Sequence, residues 1–428
     1  MPSTVTHDVA HGIPGPAGPP AAGTVRDEAR IEMHGAPGEN GPFEAARKAI
    51  WAAPPNEVIT VAAAILGRHA GGADTEVLMI DYRQAYLVRT LAAGDDVPVD
   101  NTPPGRAFAS QRVVREDGDG LTHLPLTVKG ERIGILSVRL PDGGPPWLDD
   151  FAGVLARALK IADQATDRYR RLRRRTRLTL AAEMQWDLLP APAYQASELG
   201  FAGQLEPAYA VWGDAFDWAT SGERFTLTVS NGMGSGTESA ELTHLAISAL
   251  RNARRSGGDI VEQAELADEA VFGRHRGERL VDALLLEFDL ADGRVRAIDA
   301  GSPRISRMRG GATEQIGFVA QMPLGMFGDT RYVPQEFAVE PGDRLVIVSD
   351  GVHAARSPAG VMYGDAGLPQ AMRATRLQDP PEAVRTMVRH YVEFHEGTEP
   401  ADDAVVVCVD WTGRDPDAGK AAAAGEDA

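Results

Sequence analysis

Short turns that pair an acidic or amide residue with glycine recur at the ends of apolar strands through the C-terminal half of this chain. No other feature constrains the fold as much. Residues 209–212 run into Gly213-Asp214, 227–230 into Asn231-Gly232-Met233-Gly234, and 345–349 into Asp350-Gly351. Asp402-Asp403 runs the other way, into the apolar stretch 404–407. Strand ends are stiff, and glycine lets backbone come close to a ligand because it carries no Cβ. Asp-Gly by itself marks an ordinary turn. Three such turns and an acidic pair, in order and each at a strand end, require a β-rich scaffold that gathers distant segments at one rim.

The rest of the chain limits what surrounds that scaffold. At 428 residues it suits two domains plus tails. No apolar run reaches the ~18 residues of a membrane span. The N-terminus lacks the basic start and apolar centre of a secretion signal, and one cysteine, Cys408, excludes an internal disulfide framework. These features fit a cytoplasmic protein without membrane partners. A net charge of −18 disfavours a generic nucleic-acid binder, because phosphates would be repelled.

Five segments follow. Residues 1–40, rich in Gly, Pro and Ala, read as a disordered tail, as do 413–428. Residues 42–146 form a first folded unit with two helices, several strands, a short helix near 105–114, and a hairpin turning at Lys129-Gly130. Residues 147–190 read as mainly helical. Leu155, Ala158, Ala162, Ala165, Tyr169, Leu172, Thr176 and Thr179 make a heptad-like stripe that points to a signalling helix in a parallel homodimer. The arginine run at 168–177 suits the solvated flank of such a helix better than a membrane or nucleic-acid contact, given the acidic chain. Residues 191–412 alternate strands (200–205, 210–218, 225–229, 283–289, 295–300, 304–308, 344–348, 404–410) with helices at 239–255, 261–273 and 381–394. Two β-sheets flanked by paired helices satisfy this pattern, an α+β class overall.

Clustered carboxylates and backbone carbonyls suit hard cations such as Mg²⁺ or Mn²⁺. A pair of such ions can hold a bridging hydroxide for in-line attack on a phosphoryl group. No zinc-type His or Cys cluster competes. The motifs resemble those of the metal-dependent protein phosphatases (PPM, protein phosphatase 2C-like) in their bacterial SpoIIE/RsbU-like branch. Residues 182–190 (AEMQWDLLP) resemble the branch's A-x-x-Q-x-x-L-L-P helix, and 212–217 (WGDAFD) its G-G-D-F/Y-Y-D. Residues 230–236 (SNGMGSG) resemble S-D-G-M-G-x-G, and 299–303 (DAGSP) resemble N-A-G-H-P. P-L-G at 323–325, P-G-D at 341–343, D-G-V at 350–352 and the D-D pair at 402–403 complete the order. The first unit resembles a GAF domain through 105–114 (GRAFASQRVV) and 125–136 (PLTVKGERIGIL).

The resemblance implies an α-β-β-α sandwich with two Mn²⁺ or Mg²⁺ ions. Asp214 would bind one ion, Asp350 and Asp403 the other; residue 231 would bridge both, and Gly232 would offer its carbonyl. No protein nucleophile is implied; water activated by the ions attacks phosphorus. Implied partners are a phosphoserine or phosphothreonine protein, with an anti-sigma-factor antagonist as the branch's common substrate, and a small ligand at the GAF-like domain.

Three positions depart from the pattern. Trp212 replaces a glycine and Ser302 a histidine, both at an expected substrate pocket. Asn231 stands where the bridging aspartate is expected. An amide offers one neutral oxygen and one donor, so it cannot bridge two cations. Three readings stand: an enzyme weakened in metal affinity, a pseudophosphatase that holds a phosphoprotein without turnover, and a site restored by deamidation at Asn231-Gly232.

Overall fold

The computed structural model describes residues 41–69, 74–118, 120–140, 144–175, 178–207, 211–398 and 400–414. The expected tail at 1–40 and nearly all of that at 413–428 lie outside them. Residues from Pro42 onward group as one compact unit.

The N-terminal part opens with α1 (Pro42–Ala52) and α2 (Val58–His69), followed by β1 (Thr75–Ile80), β2 (Tyr86–Arg89) and β3 (Val97–Pro98). Then come α3 (Pro103–Ser110), β4 (Val114–Arg115), β5 (Leu121–Val128), β6 (Glu131–Arg139) and α4 (Leu148–Ala162). Thr102 caps α3 by accepting from the Gly105 N–H, with proline in the first turn, where a missing N–H costs nothing. The strands form an antiparallel sheet in the order β3-β2-β1-β6-β5-β4. Alternation splits its side chains between two faces. Val77, Met79, Leu136 and Val138 meet α1, α2 and α4 on one face, while Leu78, Ile80 and Ile135 meet Phe108 of α3 on the other. The β5–β6 hairpin turns as expected at Lys129 (φ 52°) and Gly130 (φ 92°), the left-handed pair that a tight hairpin needs.

The expected signalling helix is corrected here. Residues 147–190 form three helices: α4, α5 (Asp167–Arg173) and α6 (Leu180–Leu188). Leu155, Ala158, Ala162 and Tyr169 of the stripe are buried in the core of their own N-terminal part. The Tyr169 hydroxyl donates to the Pro55 carbonyl at 2.6 Å. For those four residues the three- and four-residue spacing records packing onto the sheet, while Ala165 and Thr179 of the stripe are exposed and Leu172 is half-buried.

The C-terminal part continues with β7 (Ala193–Gln195), β8 (Leu199–Glu206), β9 (Asp214–Ser221) and β10 (Arg224–Gly232). The helices α7 (Thr237–Arg255) and α8 (Ile260–His275) come next, then β11 (Val281–Asp289), β12 (Arg294–Ala300), β13 (Arg304–Arg309), β14 (Ala312–Ile316), β15 (Gln335–Ala338) and β16 (Arg344–Val348). It ends with α9 (Asp350–His353), α10 (Leu368–Ala374), α11 (Pro380–Phe394) and β17 (Ala404–Trp411). Asp259 and Glu262 make a reciprocal capping box at α8; Asp379 caps α11.

Two antiparallel sheets result, β15-β12-β11-β10-β9 and β14-β13-β16-β17-β8-β7. Leu227, Val229, Leu284, Leu286 and Phe288 of the first pack against Leu345, Ile347, Val405, Val407 and Val409 of the second. The alternate residues face outward. Ala283 and Leu285 meet α7 and α8, while Val346, Val348, Val406 and Cys408 meet α10 and α11. This is a four-layer α-β-β-α sandwich. Sequence alternation places the central strands; β7, β14, β15, α9 and α10 lie outside the sequence expectations. The strand expected over 210–218 starts at Asp214, so that acid heads a strand rather than closing one.

The two parts are joined by ion pairs. Arg132 pairs with Asp379 at 2.6 Å and Glu382 at 3.2 Å, and Arg385 with Asp100 at 2.9 Å. The Gln195 N–H donates to the Lys129 carbonyl at 2.9 Å. Among the described residues, no helix is long and apolar enough to cross a membrane.

Candidate metal centre

Strand register builds one side of the site. In β10, Asn231 lies directly opposite Asp214 of β9 on one flank and Asp282 of β11 on the other. Three polar residues thus share one row across the first sheet. The second sheet brings Asp350, just after β16, and Asp402-Asp403, just before β17, which pair as neighbouring strands.

Asp403 ties the sheets together. Its Oδ2 accepts from the Trp212 N–H at 2.8 Å, the Gly213 N–H at 3.1 Å and Gln185 Nε2 at 2.8 Å. The same Gln185 nitrogen donates to the Asp214 carbonyl at 2.7 Å. The helix α6 therefore holds two of the acidic turns at once. Gly213 adopts φ 87°, and its carbonyl accepts from Thr243 Oγ1 at 2.6 Å. Glycine is required at two further points. A Cβ at 232 would lie 2.2 Å from Thr243 Oγ1, and one at 351 would lie 1.9 Å from the Asp403 carbonyl oxygen.

Asn231 is engaged, and its partner is informative. Its Nδ2 donates to Asp350 Oδ1 at 2.6 Å, and the Gly351 N–H donates to the same oxygen at 3.1 Å. A carboxylate can only accept, so the amide must turn its nitrogen toward Asp350. A donor stands where a bridging ligand would present an oxygen.

The electrostatics record crowding of like charge. Asp214 is fully buried, and neither carboxyl oxygen has a hydrogen-bond donor. Burial raises its pKa well above the usual carboxylate value; the nearby Ser349 hydroxyl opposes this, and the charges of Asp403, Asp350 and Asp402 add to it. Asp402 is pushed up to about 6, first by burial and then by Asp350. Burial also raises Asp282, with Ser302 opposing and Asp350 reinforcing.

A cleft of about 330 Å³ opens onto this cluster, lined by Trp212, Asn231, Gly232, Asp282, Asp350 and Asp402 among others. The expected site residues divide accordingly. Trp212, Asn231, Gly232 and Asp350 line the cleft, while Asp214 and Asp403 are completely buried behind it. Ser302 does not line it; its carbonyl meets His353 Nε2 at 3.0 Å. Sequence reading missed Asp282 and the anchoring by Gln185. The signal for Asp282 was an acid at the head of an apolar strand, without a glycine to mark it.

Among the described residues, no three His, Cys, Asp or Glu side chains converge closely enough to hold a metal ion by themselves. The donor chemistry nevertheless fits a hard cation. Apart from Asn231 it is oxygen, and it includes a buried carboxylate without a partner and acids raised first by burial and further by their neighbours' charge, which a positive charge would relieve. Asn231 is the member that does not fit.

Comparison with known proteins bears on the same region. Residues 221–412 match the family model "Stage II sporulation protein E (SpoIIE)". Among solved structures, the chain is similar to the phosphatase domain and regulatory fragment of SpoIIE from Bacillus subtilis, at 21% identity and a TM-score of 0.46, over 52% of this chain and 66% of that one. It is similar to the RsbU and RsbW domains of a Mycobacterium tuberculosis protein at 19% identity and a TM-score of 0.45, over 51% of this chain and 61% of that one. The PP2C domain of SiaA from Pseudomonas aeruginosa follows at 20% identity and a TM-score of 0.44, over 49% of this chain and 84% of that one. The chain thus spans less than two thirds of the first two. No curated protein sequence matches it.

Proposed function

We propose that the chain, whose residues 221–412 match the SpoIIE family model, is a metal-dependent phosphatase of the PPM type acting on phosphoserine or phosphothreonine of a regulatory protein, weakened by Asn231. The observation that carries this reading is the row Asp214–Asn231–Asp282, of which Asn231 and Asp282 line one cleft with Asp350 and Asp402, while Asp214 and Asp403 lie buried behind it. Asp214, Asp350 and Asp403, with the Gly232 carbonyl, would hold Mn²⁺ or Mg²⁺, and Asp282 and Asp402 stand beside them. Two such ions, when bound, supply charge neutralisation at the phosphoryl oxygens and activation of water.

The chain's own groups do the positioning. Gln185 and the N–H groups of Trp212 and Gly213 fix one oxygen of Asp403, leaving less of its orientation to be ordered on binding. Trp212 forms a wall of the cleft beside the acids. Asn231 draws Asp350 into a hydrogen bond that a cation would have to break. The GAF-like N-terminal part would act as the sensor, and an anti-sigma-factor antagonist suits the proposed substrate class.

Hydrolysis of p-nitrophenyl phosphate in Mn²⁺ tests this. The expected result is slow, chelator-sensitive turnover that falls by about 10²-fold or more in Asp350→Asn and in Asp403→Asn. Turnover indifferent to chelator and to both variants would refute it.

A further inference from the structure

Asn231 leaves the proposed metal site short of one carboxylate, and the neighbouring strand carries an acid at the matching height. Asp282 lies directly opposite Asn231 in the β10–β11 register. Residues directly opposite on antiparallel strands share a face of the sheet, with Cβ atoms about 4.5–5.5 Å apart. Asp282 and Asn231 accordingly line the same cleft, with Asp350 and Asp402. The other two acids of that cleft are held by donors beside them. Asp350 Oδ1 accepts from Asn231 Nδ2 at 2.6 Å and from the Gly351 N–H at 3.1 Å, and Asp402 Oδ1 accepts from the Asp403 N–H at 2.8 Å. Asp282 has no ion-pair partner among the described residues. Burial raises its pKa, Ser302 opposes this, Asp350 adds to it, and Arg304 opposes it. Arg304 directs one guanidinium nitrogen at the carbonyls of Gly301 and Pro303, at 2.8 and 3.1 Å. The loop after β12 packs directly against the Asp282 carboxyl. A Cβ at Gly301 would lie 2.5 Å from Asp282 Oδ1, so glycine there makes the room this side chain occupies.

On the other flank of Asn231, Asp214 is fully buried and neither of its oxygens has a hydrogen-bond donor. Asn231 thus stands between two acids, one on each neighbouring strand, and no cation of the protein pairs with either. A bound cation would relieve both. We propose that Asp282 supplies the carboxylate that position 231 lacks: it holds a divalent cation together with Asp350, and the metal affinity of the unaltered chain depends on it. Asp282 restores the charge of a carboxylate at 231 but not its position, which agrees with a site that is weakened and not abolished. The inference rests on the phosphatase reading as far as the entry of Mn²⁺ or Mg²⁺ into this cleft, and goes beyond it in naming the ligand that compensates for Asn231.

The test measures Mn²⁺ binding to the full chain by calorimetry, without substrate, in the unaltered chain, Asp282→Asn, Asn231→Asp and the variant carrying both substitutions. Asp282→Asn should lower Mn²⁺ affinity about tenfold or more when asparagine stands at 231. With aspartate at 231 the same substitution should lower it less than about threefold, because a carboxylate already occupies the central strand of the row. The metal-free melting temperature of Asp282→Asn should not fall, since the variant removes repulsion from Asp350; a merely structural role would lower it. If Asp282→Asn does not fold, Asp282→Ser carries the comparison. Equal losses in the two backgrounds would make Asp282 one negative charge among several and overturn the proposal, as would unchanged affinity in Asp282→Asn. Mn²⁺ binding by Asn231→Asp but not by the unaltered chain would overturn this proposal and spare the phosphatase reading. Binding by neither would overturn both.

Discussion

At the scale of residues, the site depends on close approaches that only certain side chains permit. Gly351 is the tightest: a methyl there would sit 1.9 Å from a backbone oxygen of Asp403, which cannot rotate away. Gly351→Ala should therefore destabilise the fold by about 1–3 kcal/mol and displace the Asp350 and Asp403 turns. Chemical denaturation checks the first effect and Mn²⁺ calorimetry the second. Asn231 poses the opposite question, because it is well accommodated as it stands. Its amide donates to Asp350. Asn231→Asp would exchange that bond for repulsion between two carboxylates, lowering metal-free stability by about 1.5–3 kcal/mol. Mn²⁺ should more than restore the loss, read as a larger metal-induced rise in melting temperature than the unaltered chain shows.

At the scale of elements, α6 matters more than its nine residues suggest. It precedes the sandwich, yet Gln185 reaches both Asp403 and the Asp214 carbonyl. Gln185→Leu removes the side-chain donor shared by those two acceptors and leaves Asp403 Oδ2 with only the Trp212 and Gly213 N–H groups, so Mn²⁺ affinity measured by calorimetry should fall about tenfold or more. The sequence made this helix readable by its A-x-x-Q-x-x-L-L-P resemblance, but not the partner of the glutamine, which lies 218 residues away. The same division holds elsewhere. Strands β10, β11, β16 and β17 were legible because their apolar residues alternate between an inter-sheet core and a helix-covered face. Asp282 was not legible, because its place beside Asn231 comes from register between strands and not from any local motif. The heptad-like stripe misled for a related reason. Three- and four-residue spacing says that one face of a helix is covered, and the sheet of its own domain covers this one.

At the scale of the whole molecule, the N-terminal part and the sandwich meet through charged groups that couple their contact to pH. Glu206 at the end of β8 is 8% exposed and pairs with Arg83 at 3.1 Å. Burial raises its pKa from 4.5 to about 6, Arg83 opposes the rise, and Asp81 adds to it. A carboxyl raised on folding binds its proton more tightly in the folded chain. Its effect on stability is absent below the unfolded value of 4.5 and becomes unfavourable as pH rises through about 6. The loss is about 2 kcal/mol. Denaturation across pH 4–7 should show this component in the unaltered chain and lack it in Glu206→Gln. This architecture also brings together the proposed metal site, in which Asn231 stands between Asp214 and Asp282 where a carboxylate would be expected. The most direct measurement is the Mn²⁺ dependence of p-nitrophenyl phosphate hydrolysis by the unaltered chain and by Asn231→Asp, with intact mass proving asparagine in the former. Asn231→Asp is expected to turn over at least about tenfold faster and to saturate at lower Mn²⁺. Superimposable curves for the two proteins would contradict this.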